Sequence, residues 1–239
     1  MMTERDRYPA FRIPTVCIPA SIDNNLPGSE LSIGTDTALN VIVEAMDKIK
    51  ESGIASRRCF VVETMGRDCG YLALMSGIAA GAERIYTNED GISLDDLAND
   101  VHWLRESFAH GRRLFLAVRN ENASHNYTTD FIARLLEEES HGMYDVRQVV
   151  LGHMQQGGSP SPFDRLLANR LGYRALNLID DELAAHQDGS WFIGVNESGM
   201  RPCSMDTMPS LIDAAHRRPR EQWWLQLRTI ARMVSDEVR

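Results

Sequence analysis

Apolar and polar positions along this chain switch repeatedly between two spacings. Over residues 35–52, Ala38, Leu39, Ile42, Ala45, Met46 and Ile49 recur at helical intervals. The continuous apolar run Cys59-Phe60-Val61-Val62 that follows has the character of a buried strand. The same alternation continues. Residues 68–80 predict a helix whose small residues (Gly70, Ala73, Gly77, Ala79, Ala80) allow close packing on a sheet, and a strand follows near Arg84-Ile85-Tyr86. Ser93 is placed to cap a helix running to about Phe108, ahead of a strand over 114–118, a helix over 128–139 and a strand over 146–151. Pro162 opens a long helix through Leu183, residues 191–195 read as the last strand, and 220–237 as a terminal helix. With the short apolar run over 14–18 as a first strand, this order predicts an α/β protein of right-handed βαβ units and a mainly parallel sheet. Gln187-Asp188-Gly189-Ser190 reads as a turn, with no low-complexity tract or internal repeat in the chain.

The polar positions matter most where strands end. The run over 14–18 breaks into Pro19-Ala20-Ser21-Ile22-Asp23-Asn24-Asn25-Leu26-Pro27-Gly28, a loop carrying a hydroxyl, a carboxylate and two amides. Glu63-Thr64-Met65-Gly66-Arg67 and Gly152-His153-Met154-Gln155-Gln156-Gly157-Gly158-Ser159-Pro160 are two further exits of this kind. Open α/β sheets place ligand sites at their strand ends, so three such loops point to one shared site for a polar ligand.

Composition narrows the class. The chain has 239 residues, with 43% hydrophobic and 25% charged residues, as expected of a globular protein with a core. No apolar run approaches the ~20 residues that span a bilayer, and the charged start Met1-Met2-Thr3-Glu4-Arg5-Asp6-Arg7 lacks an export signal's apolar segment. A cytoplasmic protein with no membrane partner is therefore expected. The net charge of −9 argues against nucleic acid as the main partner but not against a phosphorylated small molecule, which a few local arginines can hold. Cys17, Cys59, Cys69 and Cys203 lie far apart without a Cys-x-x-Cys spacing, which predicts reduced thiols and no zinc site.

The three loops, in this order, resemble the phosphofructokinase family. Ser21 to Asn25, Ser32-Ile33-Gly34-Thr35-Asp36-Thr37-Ala38-Leu39-Asn40, Met65-Gly66-Arg67, Cys69-Gly70-Tyr71-Leu72-Ala73, and Leu151 to Pro160 with Asp164-Arg165 carry the likeness. Asn120-Glu121, Asn126-Tyr127-Thr128-Thr129-Asp130-Phe131 and Glu221-Gln222-Trp223-Trp224-Leu225 are similar to the second half of the long eukaryotic members. The resemblance implies a three-layer α/β/α fold in two lobes. It places 1–34 with 154–205 in a nucleotide-side lobe, which is expected to be incomplete, and 35–153 with 206–239 in a sugar-phosphate lobe. The implied activity is that of a glycolytic 6-phosphofructokinase: transfer of the ATP γ-phosphoryl, with Mg2+, to the 1-hydroxyl of fructose 6-phosphate.

By the same resemblance, Asp23 is the general base, with Ser21 and Ile22 beside the substrate. Met65, Gly66 and Arg67 lie near the phosphates, Glu121 accepts from sugar hydroxyls, and Gln156 belongs to the sugar site. Arg58, Arg147, His153 and Arg217 take the sugar phosphate, for which forked guanidinium donors are suited. Arg58 and Arg147 would reach across from a neighbouring subunit of a homo-oligomer. Lys50, Gly81-Ala82-Glu83 and Arg112-Arg113 match an effector site of bacterial members, but helix ends and exposed charge are the simpler reading.

Three departures qualify the match. Asn25 stands where the family has a second Asp that organises magnesium, and Gln156 stands where catalytic members have Arg. No glycine-rich nucleotide loop precedes Asp23, so ATP would meet a segment outside this sequence, no metal ligands are assigned, and the chain alone is expected to be inactive. Ala20 replaces the Lys of pyrophosphate-dependent relatives, which favours ATP. The alternative is a regulatory half that binds fructose 2,6-bisphosphate without catalysing. Asn25 and Gln156 favour that reading, and Asp23 and Arg67 favour the enzyme.

Overall fold

The computed structural model describes residues 7–53, 56–196 and 198–236. The chain divides into two compact units, Met1–Asp36 with Pro160–Trp223, and Thr37–Ser159 with Trp224–Arg239.

The second unit is built on a four-stranded, wholly parallel sheet. In chain order its strands are β2 (Arg58–Thr64), β3 (Arg84–Tyr86), β4 (Leu114–Asn120) and β5 (Asp145–Val150), in spatial order β3-β4-β2-β5. The alternation of side chains along β2 and β4 sends Cys59, Val61, Phe115 and Ala117 to one face. There they form a buried core with Leu97, Leu104 and Phe108 of α3 (Leu94–Ala109) and Ile132 and Leu136 of α4 (Thr129–Glu138). Phe60, Val62, Leu116 and Val118 are buried on the opposite face. The end of α1 (Thr35–Gly53) meets Phe60 and Leu114 on that face, and Gly77 of α2 (Tyr71–Ala80) lies against Ile85. Helices therefore cover both faces, and β2 and β4 read as continuous apolar runs rather than alternating ones.

The first unit holds β1 (Thr15–Cys17), α5 (Pro162–Ala184), β6 (Ser190–Asn196) and β7 (Gly199–Ser204), its sheet ordered β1-β6-β7. β1 and β6 are parallel, and β7 is antiparallel to β6. Leu167, Leu171, Ala175 and Leu178 of α5 pack with Ile193, Val16 and Trp191. A short helix α6 (Met208–Leu211) and the two-residue strands β8 (Ile212–Asp213) and β9 (Arg218–Pro219) complete this unit.

The α/β architecture with mainly parallel strands agrees with the sequence reading, and so does the Ser93 cap, which forms a reciprocal capping box with Asp96. Pro162 opens α5 as expected, and Ser161 before it accepts from the Asp164 amide, a cap the sequence reading did not name. Three expectations need correction. Residues 191–195 are not the last strand: β7 follows, tolerated despite Pro202 because it is an edge strand. The terminal helix does not begin near Arg220. Residues Trp223–Leu227 form a 3-10 turn that buries Trp224 edge-on against Tyr71, and helix α7 covers only Arg228–Asp236. The end of the expected span, Glu237, lies outside the described residues. Helix α2 begins at Tyr71 rather than Asp68, because Gly66 and Arg67 take positive φ and the Cys69 amide closes a turn on Gly66 O.

Candidate functional site

In the first unit the loop after β1 is held by its own polar residues. Asn24 takes the left-handed conformation (φ 53°) and is almost fully buried. Its amide bridges the loop to the following turn, donating to Glu30 O at 2.8 Å and accepting from the Ser32 amide at 2.8 Å. Ser21 Oγ accepts from the Asp23 amide at 3.2 Å and donates to Asn25 Oδ1 at 3.1 Å, while Thr35 Oγ1 donates to Ser21 O. Asp23 is buried at the centre of these constraints, at 8% exposure. Ser21 keeps one acceptor lone pair for a ligand. Ile22 is half-buried, with its Cγ2 beside Gly34. The Gly34 amide donates to Asp164 Oδ1 at 2.9 Å, which ties the N-terminal end of α5 to the segment leading into α1. Arg217, at φ 51°, meets this loop through its backbone, its carbonyl accepting from Asn25 Nδ2 at 3.4 Å. Its guanidinium has no hydrogen-bond partner among the described residues.

In the second unit the register of the parallel sheet does the positioning. Glu63 pairs with Arg119 and Thr64 with Asn120, so the loop after β2 lies beside the loop after β4. Glu121 Oε1 accepts from two consecutive amides of the first loop, Gly66 at 3.1 Å and Arg67 at 2.7 Å. Its Oε2 makes no hydrogen bond among the described residues. Gln155 holds the same loop from the third exit: Oε1 accepts from the Met65 amide at 3.1 Å and Nε2 donates to Gly152 O at 3.0 Å. Asn120 Nδ2 donates to Cys69 O, and Asn122 Nδ2 donates to Asp68 Oδ1 at 2.9 Å.

Beneath this cluster lies a buried cation. Arg119 is 2% exposed and donates to Glu63 Oε2 at 2.9 Å and to the carbonyls of Glu121, Ser124 and Tyr127. Burial lowers its pKa from the usual arginine value, and Glu63 opposes that shift. Thr129 Oγ1 also donates to Glu63, joining the start of α4 to the same charge pair.

Met65, Gly66, Arg67 and Glu121 thus come together. His153 and Gln156 are exposed on the 3-10 turn that carries Gln155, so His153 is not the satisfied core histidine its type allows. Arg58 and Arg147 lie elsewhere. Arg58 opens β2, about 20 Å from Thr64 at the strand's other end at ~3.3 Å per strand residue, with a buried Nε that has no hydrogen-bond partner among the described residues. Arg147 is exposed on the edge strand β5, opposite Phe60 in register, with Nη1 bonded to Val146 O. Lys50 caps the end of α2 at Ala80 O, and Arg112 pairs with Glu83, whose pKa burial raises. The loop-bracing amides of Asn24, Asn120 and Gln155 escaped sequence reading, because amide side chains in polar loops carry no periodic signal.

Comparison with known proteins decides the lineage. The family model for phosphofructokinase matches residues 2–179. The chain belongs to the phosphofructokinase family. Two mammalian phosphofructokinases give the scale of the likeness. The chain is 42% identical over 246 residues to human ATP-dependent 6-phosphofructokinase, muscle type, covering 98% of this chain and 32% of that protein. It is 42% identical over 241 residues to the platelet type from Rattus norvegicus, covering 97% and 31%. The solved phosphofructokinase from Saccharomyces cerevisiae superposes with a TM-score of 0.93 at 36% identity, over 98% of this chain and 32% of that one. The chain thus spans about a third of the length of each of these three phosphofructokinases.

Proposed function

We propose that this chain is part of an ATP-dependent 6-phosphofructokinase that phosphorylates the 1-hydroxyl of fructose 6-phosphate. The observation that carries the reading is Asp23: a buried carboxylate on a loop fixed by Asn24, Ser21 and Thr35, in a member of this family. Such a carboxylate can accept the proton of the attacking hydroxyl as the sugar oxygen bonds to the γ-phosphorus and the bond to the ADP oxygen breaks. Fixing it beforehand removes the cost of orienting the base during the reaction. Glu121 Oε2 and Ser21 Oγ suit sugar hydroxyls, and Arg67 with His153 suits phosphate oxygens. Arg58 and Arg147, at the start and the edge of the sheet, suit a phosphate presented by a neighbouring subunit.

ATP with Mg2+ is the expected donor. The described residues include no group of three His, Cys, Asp or Glu side chains that could hold a metal; Mg2+ with a nucleotide is held by one or two carboxylates together with the donor's phosphates. The close relatives named ATP-dependent favour ATP over pyrophosphate.

Calorimetric titration with fructose 6-phosphate, combined with an ADP-release assay, tests the reading. The wild-type chain should bind the sugar, and a longer protein that also carries the nucleotide-binding segment should turn over. Asp23→Asn should bind equally and lose about 10²–10⁴-fold in turnover. Equal turnover in both would remove Asp23 as the base, and failure of wild type to bind fructose 6-phosphate would overturn the assignment.

A further inference from the structure

The peptide of Glu30 is a fixed point beside the Asp23 loop. Its amide donates to Val195 O at 2.7 Å, near the end of β6, and the adjacent Ser29 Oγ accepts from the Val195 amide at 2.9 Å. The chain just before it is pressed onto the same strand, since a Cβ at Gly194 would lie 1.8 Å from Gly28 O. The Glu30 carbonyl accepts from two side chains. Asn24 Nδ2 reaches it at 2.8 Å from within the loop, and Trp223 Nε1 reaches it at 3.0 Å from far along the chain. A carbonyl oxygen has two lone pairs, one for each of these donors.

The two donors sit in different settings. Asn24 is 4% exposed and held at φ 53°, a backbone region unfavourable to a residue with a Cβ. Its bonds to Glu30 O and to the Ser32 amide keep the residue after Asp23 in that conformation. Trp223 is 38% exposed and lines an open cleft with Pro27, Leu211 and Pro219. Trimming an exposed ring opens no buried cavity, so packing alone predicts little loss there. Its one polar atom is nevertheless aimed at the carbonyl that braces the Asp23 loop.

On the reading of Asp23 as the base, we infer that Trp223 is a positioning residue for that carboxylate. The indole N–H occupies one lone pair of Glu30 O and so fixes the direction of the other, along which Asn24 donates. Without it the carbonyl turns toward water, and Asn24 loses the alignment that offsets its left-handed backbone. The Asp23 carboxylate then samples orientations from which it cannot take the proton of the sugar hydroxyl. Trp223 acts through Glu30 and Asn24, so its removal falls on turnover and spares sugar binding.

Trp223→Phe, which keeps a ring and removes the donor, tests this in a longer protein that also carries the nucleotide-binding segment. Its kcat should fall about 10-fold, the effect of one ordinary hydrogen bond. The KM for fructose 6-phosphate should stay within about 2-fold of wild type, with the thermal midpoint little changed. Asn24→Gly accepts the positive φ and also removes a donor, so it too should lower kcat. The double variant should be no slower than Asn24→Gly alone, because both side chains act through one carbonyl. An unchanged kcat in Trp223→Phe, a loss carried by KM, or losses that multiply in the double variant would each overturn the inference. Asp23→Asn separates it from the reading beneath it. If that variant loses turnover while Trp223→Phe does not, only the positioning role falls; if it turns over like wild type, both fall.

Discussion

Gly66→Ala isolates what holds the Met65–Arg67 loop together. Gly66 has φ +133°, and a Cβ there would lie 2.4 Å from Cys69 O and 2.8 Å from Asn120 Nδ2. Backbone strain of this kind costs ~1–3 kcal/mol, and forcing atoms into packed space costs a similar ~1–3 kcal/mol. Neither neighbour can yield cheaply. Cys69 O belongs to the backbone of the turn that Gly66 O itself closes, and Asn120 is fully buried in the last register position of β4. The expected loss is therefore about 3–5 kcal/mol, a drop of about 1–2 M in the urea midpoint. Gly81→Ala is the control. It shares positive φ (+68°) but has nothing within 4 Å of the added atom, so only the left-handed penalty of ~1 kcal/mol applies. Urea unfolding followed by tryptophan fluorescence should separate the two by about 2–4 kcal/mol. Equal losses would mean that φ alone matters and that the contacts with Cys69 and Asn120 exert no constraint.

Two further outcomes follow from the buried charges. Arg119→Met leaves three carbonyls without its guanidinium and Glu63 with only the Thr129 hydroxyl and should cost about 3–5 kcal/mol; a double-mutant cycle with Glu63→Gln should recover part of it, and a loss below ~1 kcal/mol would show that the pair is not desolvated in solution. Burial raises the Glu83 carboxyl above its ordinary 4.5 despite donors from Leu116 and Arg112. Folding then takes up a proton, so this residue's contribution to stability is full below 4.5 and declines as pH rises through the raised value. Relative to Glu83→Gln, wild type should lose stability with rising pH across that window, and urea midpoints at a series of pH values check the sign.

Sequence pattern carried the regular parts of this fold because burial there is periodic. β2 and β4 are covered by helices on both faces and read as unbroken apolar runs, and Ser93 and Pro162 mark helix starts. β7 was not legible: Gly199, Arg201 and Pro202 speak against a strand, and only pairing with β6 makes it one. The start of α7 failed likewise, because burial of Trp224 against Tyr71 overrides the helical tendency of the residues around it. At the site, residue types in strand-end loops pointed to the segments holding Asp23 and Met65–Arg67, while the roles of these residues and of Glu121 came from the family resemblance. The amide anchors and the buried role of Arg119 depend on which strands are neighbours and in what register, and a single chain pattern does not encode that.

The Glu121 carboxylate has a kinetic consequence. Its Oε1 closes over the Gly66 and Arg67 amides, so those two protons exchange with solvent only when the carboxylate lets go. Any ligand that draws the carboxylate toward itself loosens that grip, and one that settles on Oε2 without displacing it tightens the pair. The exchange rates of two neighbouring protons thus give this loop its own gauge of occupancy, readable with no label and no turnover.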